Sequence, residues 1–194
     1  MNRLTPDDLL GLEAYAKARA EFRARVMAHK KNRRVAIGPN ASLYFEDRLT
    51  IQYQVQEMLR IERLFESQEI ADELAAYNPL IPDGTNWKAT YMIEYPDVDQ
   101  RRARLRDLKG IERQTWVQVE GFAKRFPIAN EDLDRENGEK TSSVHFLRFE
   151  LDGAEIAALK AGAAVAMGSD HGAYPHRVEA LAPAVRDALV ADLD

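Results

Sequence analysis

The segment Gly168-Ser169-Asp170-His171-Gly172-Ala173-Tyr174-Pro175-His176 gathers two of the chain's four histidines and an aspartate, with glycines that permit tight backbone turns. Imidazole nitrogens and carboxylate oxygens are ligands for zinc and iron. Asp170, His171 and His176 are therefore the first candidate metal ligands. His145, in the stretch VHFLRFEL (144–151), joins them if its strand neighbours the strand that leads into the loop. The spacing is not that of a motif with a worked mechanism such as His-Glu-x-x-His. The alternative is a surface loop in which Asp170 caps a turn and the histidines are solvated, with His145 hydrogen-bonded and half-buried in its strand.

A second candidate is His29-Lys30-Lys31-Asn32-Arg33-Arg34, where five positive or titratable groups fall in six positions. Such a group can hold a phosphate, a carboxylate or an acidic partner surface, or it can be a solvated helix end whose cations complement the helix dipole. A third is the turn Glu46-Asp47-Arg48 and the helix after it, which bears Gln52, Glu57, Arg60, Glu62 and Arg63. Arg60 and Arg63 lie one turn apart and can clamp an anion. Glu57 beside them can do acid–base work if burial shifts its pKa, or the charges can simply pair along a helix surface. Arg33, Arg34, Glu57, Arg60 and Arg63 form the candidate set for an anionic ligand. Ser142 and Ser143 have no base placed to activate them. Glycine-rich nucleotide loops, a Gly-x-Ser-x-Gly elbow and an EF-hand loop are all missing.

The elements that would position these groups can be read from the apolar periods. Thr5-Pro6-Asp7-Asp8 is a helix start, and the spacing of Leu9, Leu12, Tyr15, Ala16, Ala20, Phe22 and Val26 predicts a helix over 6–30. Val35–Ile37 and Leu43–Phe45 predict two short strands around Gly38-Pro39-Asn40. Helices follow over Leu49–Phe65 and from a cap at Ser67, and the turn-rich stretch 78–84 then interrupts the chain. Beyond it the pattern predicts a strand over 88–95, a helix over 97–109 and a strand over 114–120. A polar loop over 130–140 precedes a strand over 144–151, a helix ending at Gly162, a strand over 163–167 and a helix over 181–193.

This order predicts a single α+β domain over 1–194, with a helical part (1–79) and a sheet-rich part (80–194). The expected sheet is mixed, mainly antiparallel and packed by helices. Over 88–168 the strand–helix–strand repeat matches the order of a ferredoxin-like arrangement.

The chain has 194 residues and no cysteine, which excludes disulfides, thiolate metal sites and cysteine nucleophiles. Its net charge of −5 argues against general nucleic-acid binding. Charge is uneven: residues 1–40 carry nine Lys/Arg against four Asp/Glu, a net +5 that leaves −10 for the rest, so one basic surface on an acidic body is expected. The chain has no run of 18 apolar residues and no apolar segment near its start, so neither a membrane helix nor a secretory signal is expected, and a cytoplasmic location is the default.

The stretches HKKNRRVAIGPNASLYFEDRLTIQYQVQEMLRIER (29–63), AYNPLIPDGTNWKATYMIEYPD (76–97), KTSSVHFLRFEL (140–151) and GSDHGAYPH (168–176) resemble the bacterial family called domain of unknown function 3501, nearly end to end. That family has no assigned activity. Members often have proline after the loop histidine, where this chain has Gly172. The resemblance implies an accessory role in a redox or oxidative-stress system, with a redox protein as partner. Together with the histidine loop it makes zinc or iron the expected cofactor. The rival reading is a small-molecule enzyme or binding protein for an anion, and a third is a structural subunit without a site. A homo-oligomer, most simply a twofold dimer, is expected on general grounds.

Overall fold

A computed structural model describes residues 3–135 and 137–194. Its first long helix is shorter than the apolar period predicts. Pro6–Asp8 form one 3-10 turn, and helix α1 begins only at Leu12 and runs to Lys30. The interruption has a tertiary cause. The Leu10 amide donates to Gln56 Oε1 (2.6 Å) and Gln56 Nε2 donates to the Leu10 carbonyl (3.1 Å), so this stretch of backbone is held by a later helix instead of by its own turn.

Strands β1 (Arg34–Ile37) and β2 (Ala41–Phe45) form the expected hairpin. Helix α2 (Arg48–Glu62) starts at a reciprocal cap, in which Asp47 accepts from the Thr50 amide (2.8 Å) and the Thr50 hydroxyl accepts from the Asp47 amide (2.9 Å). It ends at Arg63 in the left-handed region. Helix α3 (Ser67–Tyr77) is capped by Glu66, so Ser67 is its first residue.

Then come β3 (Asn86–Ile93), α4 (Val98–Asp107), the one-turn α5 (Ile111–Gln114), β4 (Thr115–Val119) and the two-residue β5 (Ile128–Ala129). The chain finishes with β6 (Val144–Glu150), α6 (Gly153–Lys160), β7 (Val165–Ser169), β8 (His176–Val178) and α7 (Pro183–Val190).

All described pairings are antiparallel, in two sheets ordered β1-β2-β3-β6-β5 and β4-β7-β8. The α+β class holds, but the ferredoxin-like order does not. In that order β3, β4, β6 and β7 would share one sheet. That order would place β7 beside β3 and β4 beside β6. Here β2 holds the edge of β3 and β5 the edge of β6, and β4 and β7 pair with each other in the smaller sheet. The larger sheet draws β1 and β2 from before residue 79 and its other strands from after it, so the helical and sheet-rich parts are interleaved.

The two sheets and α4 to α7 enclose the main core, built around Trp87, Tyr91, Phe45, Phe149, Val117 and Met167. Trp87 also donates from Nε1 to the Leu189 carbonyl (2.8 Å), fastening the C-terminal helix. A second apolar cluster of Leu4, Ile51, Val55, Leu59, Leu74 and Ile81 holds α2, α3 and the N-terminal segment together.

Candidate functional site

The histidine loop is built as a set of tethers. Strand β7 runs two residues further than predicted, to Ser169, so Gly168 lies in a strand. A Cβ there would stand 2.5 Å from the His176 carbonyl and 2.6 Å from the Trp116 ring, so close packing requires glycine at this position. Asp170 accepts from Trp116 Nε1 (2.7 Å) and from Lys124 Nζ (2.7 and 2.8 Å), and Lys124 holds its carboxyl below the usual range. His171 contacts the Lys109 carbonyl through Nε2 (3.0 Å) and accepts from the Ala173 amide at Nδ1 (3.3 Å). The Tyr174 hydroxyl donates to the Ile37 carbonyl (2.8 Å), and the His176 ring stands edge-on to Tyr174 at 4.3 Å, against Gly38.

His145 lies elsewhere. Its strand pairs with β3 and β5, not with β7. Its ring is fully buried and engaged at both nitrogens, Nε2 by the Ser142 carbonyl (3.0 Å) and Thr141 Oγ1 (3.1 Å), and Nδ1 by Asn130 Nδ2 (3.0 Å). Asp170, His171 and His176 therefore reach three different elements, and His145 belongs to the other sheet. Among the described residues, no three His, Asp or Glu side chains converge as a metal site would require.

Of the anion set, Glu57 and Arg60 are brought together as a charge pair, while Arg33 and Arg34 bond elsewhere. Arg33 is 2% exposed and bonds inward, to the Phe45, Glu46 and Ala188 carbonyls and to Asp192. Its neighbour Arg34 points the opposite way, to Ser42 Oγ and across the Tyr44 ring. Glu57 is committed to a cluster between α1 and α2. It accepts from Tyr15 Oη (2.6 Å), from Arg19 (2.7 and 2.9 Å) and from Arg60 (3.1 Å). Arg19 is the main reason its pKa falls to about 2. Arg63 is exposed at the end of α2.

The concave site lies on the outer face of the larger sheet, opposite the core. It is a cavity of about 600 Å³, within the usual range for small-molecule sites. Lys88, Phe146 and Arg148 come from its floor, Glu46 from the end of β2, and Glu131 and Asp132 from the loop after β5. Glu73, Ala76, Tyr77 and Leu80 form its wall from α3 and the turn after it. Their spacing of three or four residues puts them on one helical face.

The charges here are held in specific arrangements. In register, Lys88 stands opposite Arg148, a like-charge pair that would ordinarily destabilise a sheet. Arg148 is neutralised by a two-pronged contact with Glu131 (2.7 and 2.8 Å) and by Glu150. Lys88 turns to the Pro79 and Ile81 carbonyls (2.7 and 3.0 Å), and burial lowers its pKa. Glu46 accepts from Thr50 Oγ1 (2.6 Å) and Thr90 Oγ1 (2.7 Å). Glu73 keeps Oε2 buried without a hydrogen-bond partner among the described residues. Its pKa is raised by burial and then by Glu62 and Asp72.

A family model described as "protein of unknown function (DUF3501)" matches residues 3–193. The chain belongs to this family. It is also similar to a protein of unknown function from Burkholderia pseudomallei K96243, known from a 1.90 Å crystal structure, at 52% sequence identity with both chains fully covered and a TM-score of 0.95. No curated protein matches the chain.

The family model carries no activity. Apart from Glu46, noted as a turn residue, sequence reasoning passed over the polar residues that line the cavity. One signal was available. Lys88, Thr90 and Met92 alternate with buried residues in β3, as do Phe146, Arg148 and Glu150 in β6, and this marks an outer face rich in functional groups.

Proposed function

We propose that this member of the DUF3501 family is a small-molecule binding protein whose ligand occupies the cavity between α3 and the outer face of the larger sheet. The observation that carries this reading is the cavity itself. It is about 600 Å³ in volume, lined by Met58, Tyr77, Leu80, Phe146 and Leu147, and ionisable groups from five separate chain segments meet in it. The reading keeps the small-molecule alternative and moves its site away from Arg33, Arg34, Glu57, Arg60 and Arg63. A metal-bearing accessory protein for a redox partner has less support, because Asp170, His145, His171 and His176 are spent on separate internal contacts.

The test is a ligand-observed NMR screen of a fragment library against the wild type and Ala76→Trp, which places an indole on the cavity wall. Fragments that bind the wild type and are lost in a folded Ala76→Trp protein support the reading. An absence of binding fragments, or fragments indifferent to the tryptophan, overturns it.

A further inference from the structure

Resting on that reading, we infer that Lys88 is a nucleophilic lysine and that the ligand is an aldehyde or ketone, held on it as an imine. Two cations line the cavity, Lys88 and Arg148. Arg148 is bound by Glu131 and Glu150. Lys88 makes no ion pair among the described residues. Its Nζ donates to the main-chain carbonyls of Pro79 (2.7 Å) and Ile81 (3.0 Å), which hold the amine in place without the charge stabilisation a carboxylate gives. Across the ladder it faces Arg148, a second positive charge. Burial is the main cause of its lowered pKa; Asp83, Glu131 and Glu150 oppose the fall and Arg148 adds to it. More of the side chain is therefore the free amine, whose lone pair attacks carbonyl carbon. Of the chain's eight lysines, Lys17 and Lys124 sit in ion pairs with Glu13 and Asp170, and Lys88 is the one that lines the cavity.

The step balances without a further reagent. The amine adds to the carbonyl carbon, a C–N bond forms, and the product is a carbinolamine. Both amine hydrogens then leave with the carbonyl oxygen as water, and the imine remains. Glu46 is the acid placed to carry these protons from nitrogen to oxygen. Its amide donates to the Lys88 carbonyl (2.8 Å), which sets the two residues side by side on neighbouring segments, and both line the cavity. The Thr50 and Thr90 hydroxyls hold its carboxylate in place. Opposite charges side by side also favour a neutral ligand, since an anion would meet Glu46 and a cation would meet Lys88. Met58, Tyr77, Leu80 and Phe146 cover the apolar remainder of the ligand and shield the imine from water.

The test is reductive trapping. The full chain is incubated at neutral pH with 3-phenylpropanal and sodium cyanoborohydride, which reduces an imine to a stable secondary amine, and labelled lysines are mapped by peptide mass spectrometry. Lys88 should label on the order of tenfold faster than each of the other seven lysines. The excess should disappear in folded Ala76→Trp, and Glu46→Gln should slow it. Labelling of Lys88 no faster than that of the other lysines overturns the inference, as does fast labelling that survives in folded Ala76→Trp. An unchanged rate in Glu46→Gln overturns the part given to Glu46. Mapping the wild type decides the role of Lys88 without depending on the folding of any variant. If Lys88 is not favoured, fragments that bind the wild type and are lost in Ala76→Trp leave the cavity reading standing.

Discussion

The two faces of the larger sheet are made by the same strands, one residue out of phase. On the inner face, Trp87, Ala89, Tyr91, Leu147 and Phe149 are each at most 2% exposed and pack into the main core. On the outer face, Lys88, Thr90, Phe146 and Arg148 are only partly buried, and three of the four line the cavity. Close packing of apolar side chains suits the inner face to stability, and such an interior has no room for a ligand. The outer face accepts two cations directly opposite each other, and the α3 wall beside it a carboxylate with an unanswered oxygen, both of which a stability-driven surface would avoid. A face that departs from the stable choice at adjacent positions is one whose groups serve something besides folding.

The contrast between the faces is broken most directly at Trp87, where the expected effect is largest. Trp87→Ala removes a fully buried indole and its bond to Leu189, and should cost about 3–5 kcal/mol by denaturant unfolding. Phe146→Ala on the outer face should cost roughly half of that or less, because its ring is only partly buried. Equal costs would mean that the outer face is core, and the contrast would fall.

Next in size is Arg33, a charge placed for structure. Burial raises the Asp192 carboxyl, and Arg33 opposes that rise. Asp47 is also raised by burial, but Arg33, the Thr50 amide and His29 outweigh it and leave its pKa lowered. Arg33→Met strands these acids and should destabilise by about 3 kcal/mol. In thermal unfolding, the double variant Arg33→Met/Asp192→Leu should recover part of the loss. No recovery would mean that packing, not charge, is what Arg33 supplies.

The smallest effects sharpen the contrast between two carboxylates. Glu57 is paired, and its folded pKa of about 2 lies below the ordinary 4.5. Its contribution is therefore present above about pH 4.5 and is lost as the pH falls toward 2. Glu57→Gln should destabilise by about 1–2 kcal/mol at neutral pH, with the difference from wild type closing over that acid range. Glu73 is raised, so its ionised form disfavours the fold above its ordinary pKa. Glu73→Gln should leave Tm unchanged or slightly higher at neutral pH, and this small gain should vanish in acid. A large loss of stability in Glu73→Gln would make Glu73 a structural acid like Glu57.

Much of the fold was legible in the sequence. Strand alternation and helix periods indicated the α+β class and the longer elements, with ends shifted by a few residues, but not the short α5, β5 and β8. The β1–β2 hairpin was readable from apolar runs around Gly38-Pro39-Asn40, because hairpin pairing is local. The ferredoxin-like order failed because β2, from the first half of the chain, takes the edge of β3 where β7 would lie, and the short β5 takes the edge of β6 where β4 would lie. The loop 168–176 drew attention because its histidines are close in sequence, yet their side chains leave for different elements. The cavity residues are far apart in sequence and drew no such attention.

The sequence by itself determined where most of the longer strands and helices lie, which side of each of those strands is apolar, and that no thiol chemistry is available to the chain. These properties depend on neighbours within one or two turns of backbone. Tertiary structure alone decided that Asp170, His145, His171 and His176 hold the fold together separately. It also decided that Arg33 is a buried tether, and that Glu46, Glu73, Lys88, Phe146 and Arg148 share one cavity. The physical reason is that a side chain's charge state and free bonding capacity are set by whatever packs against it, and those partners come from distant parts of the chain.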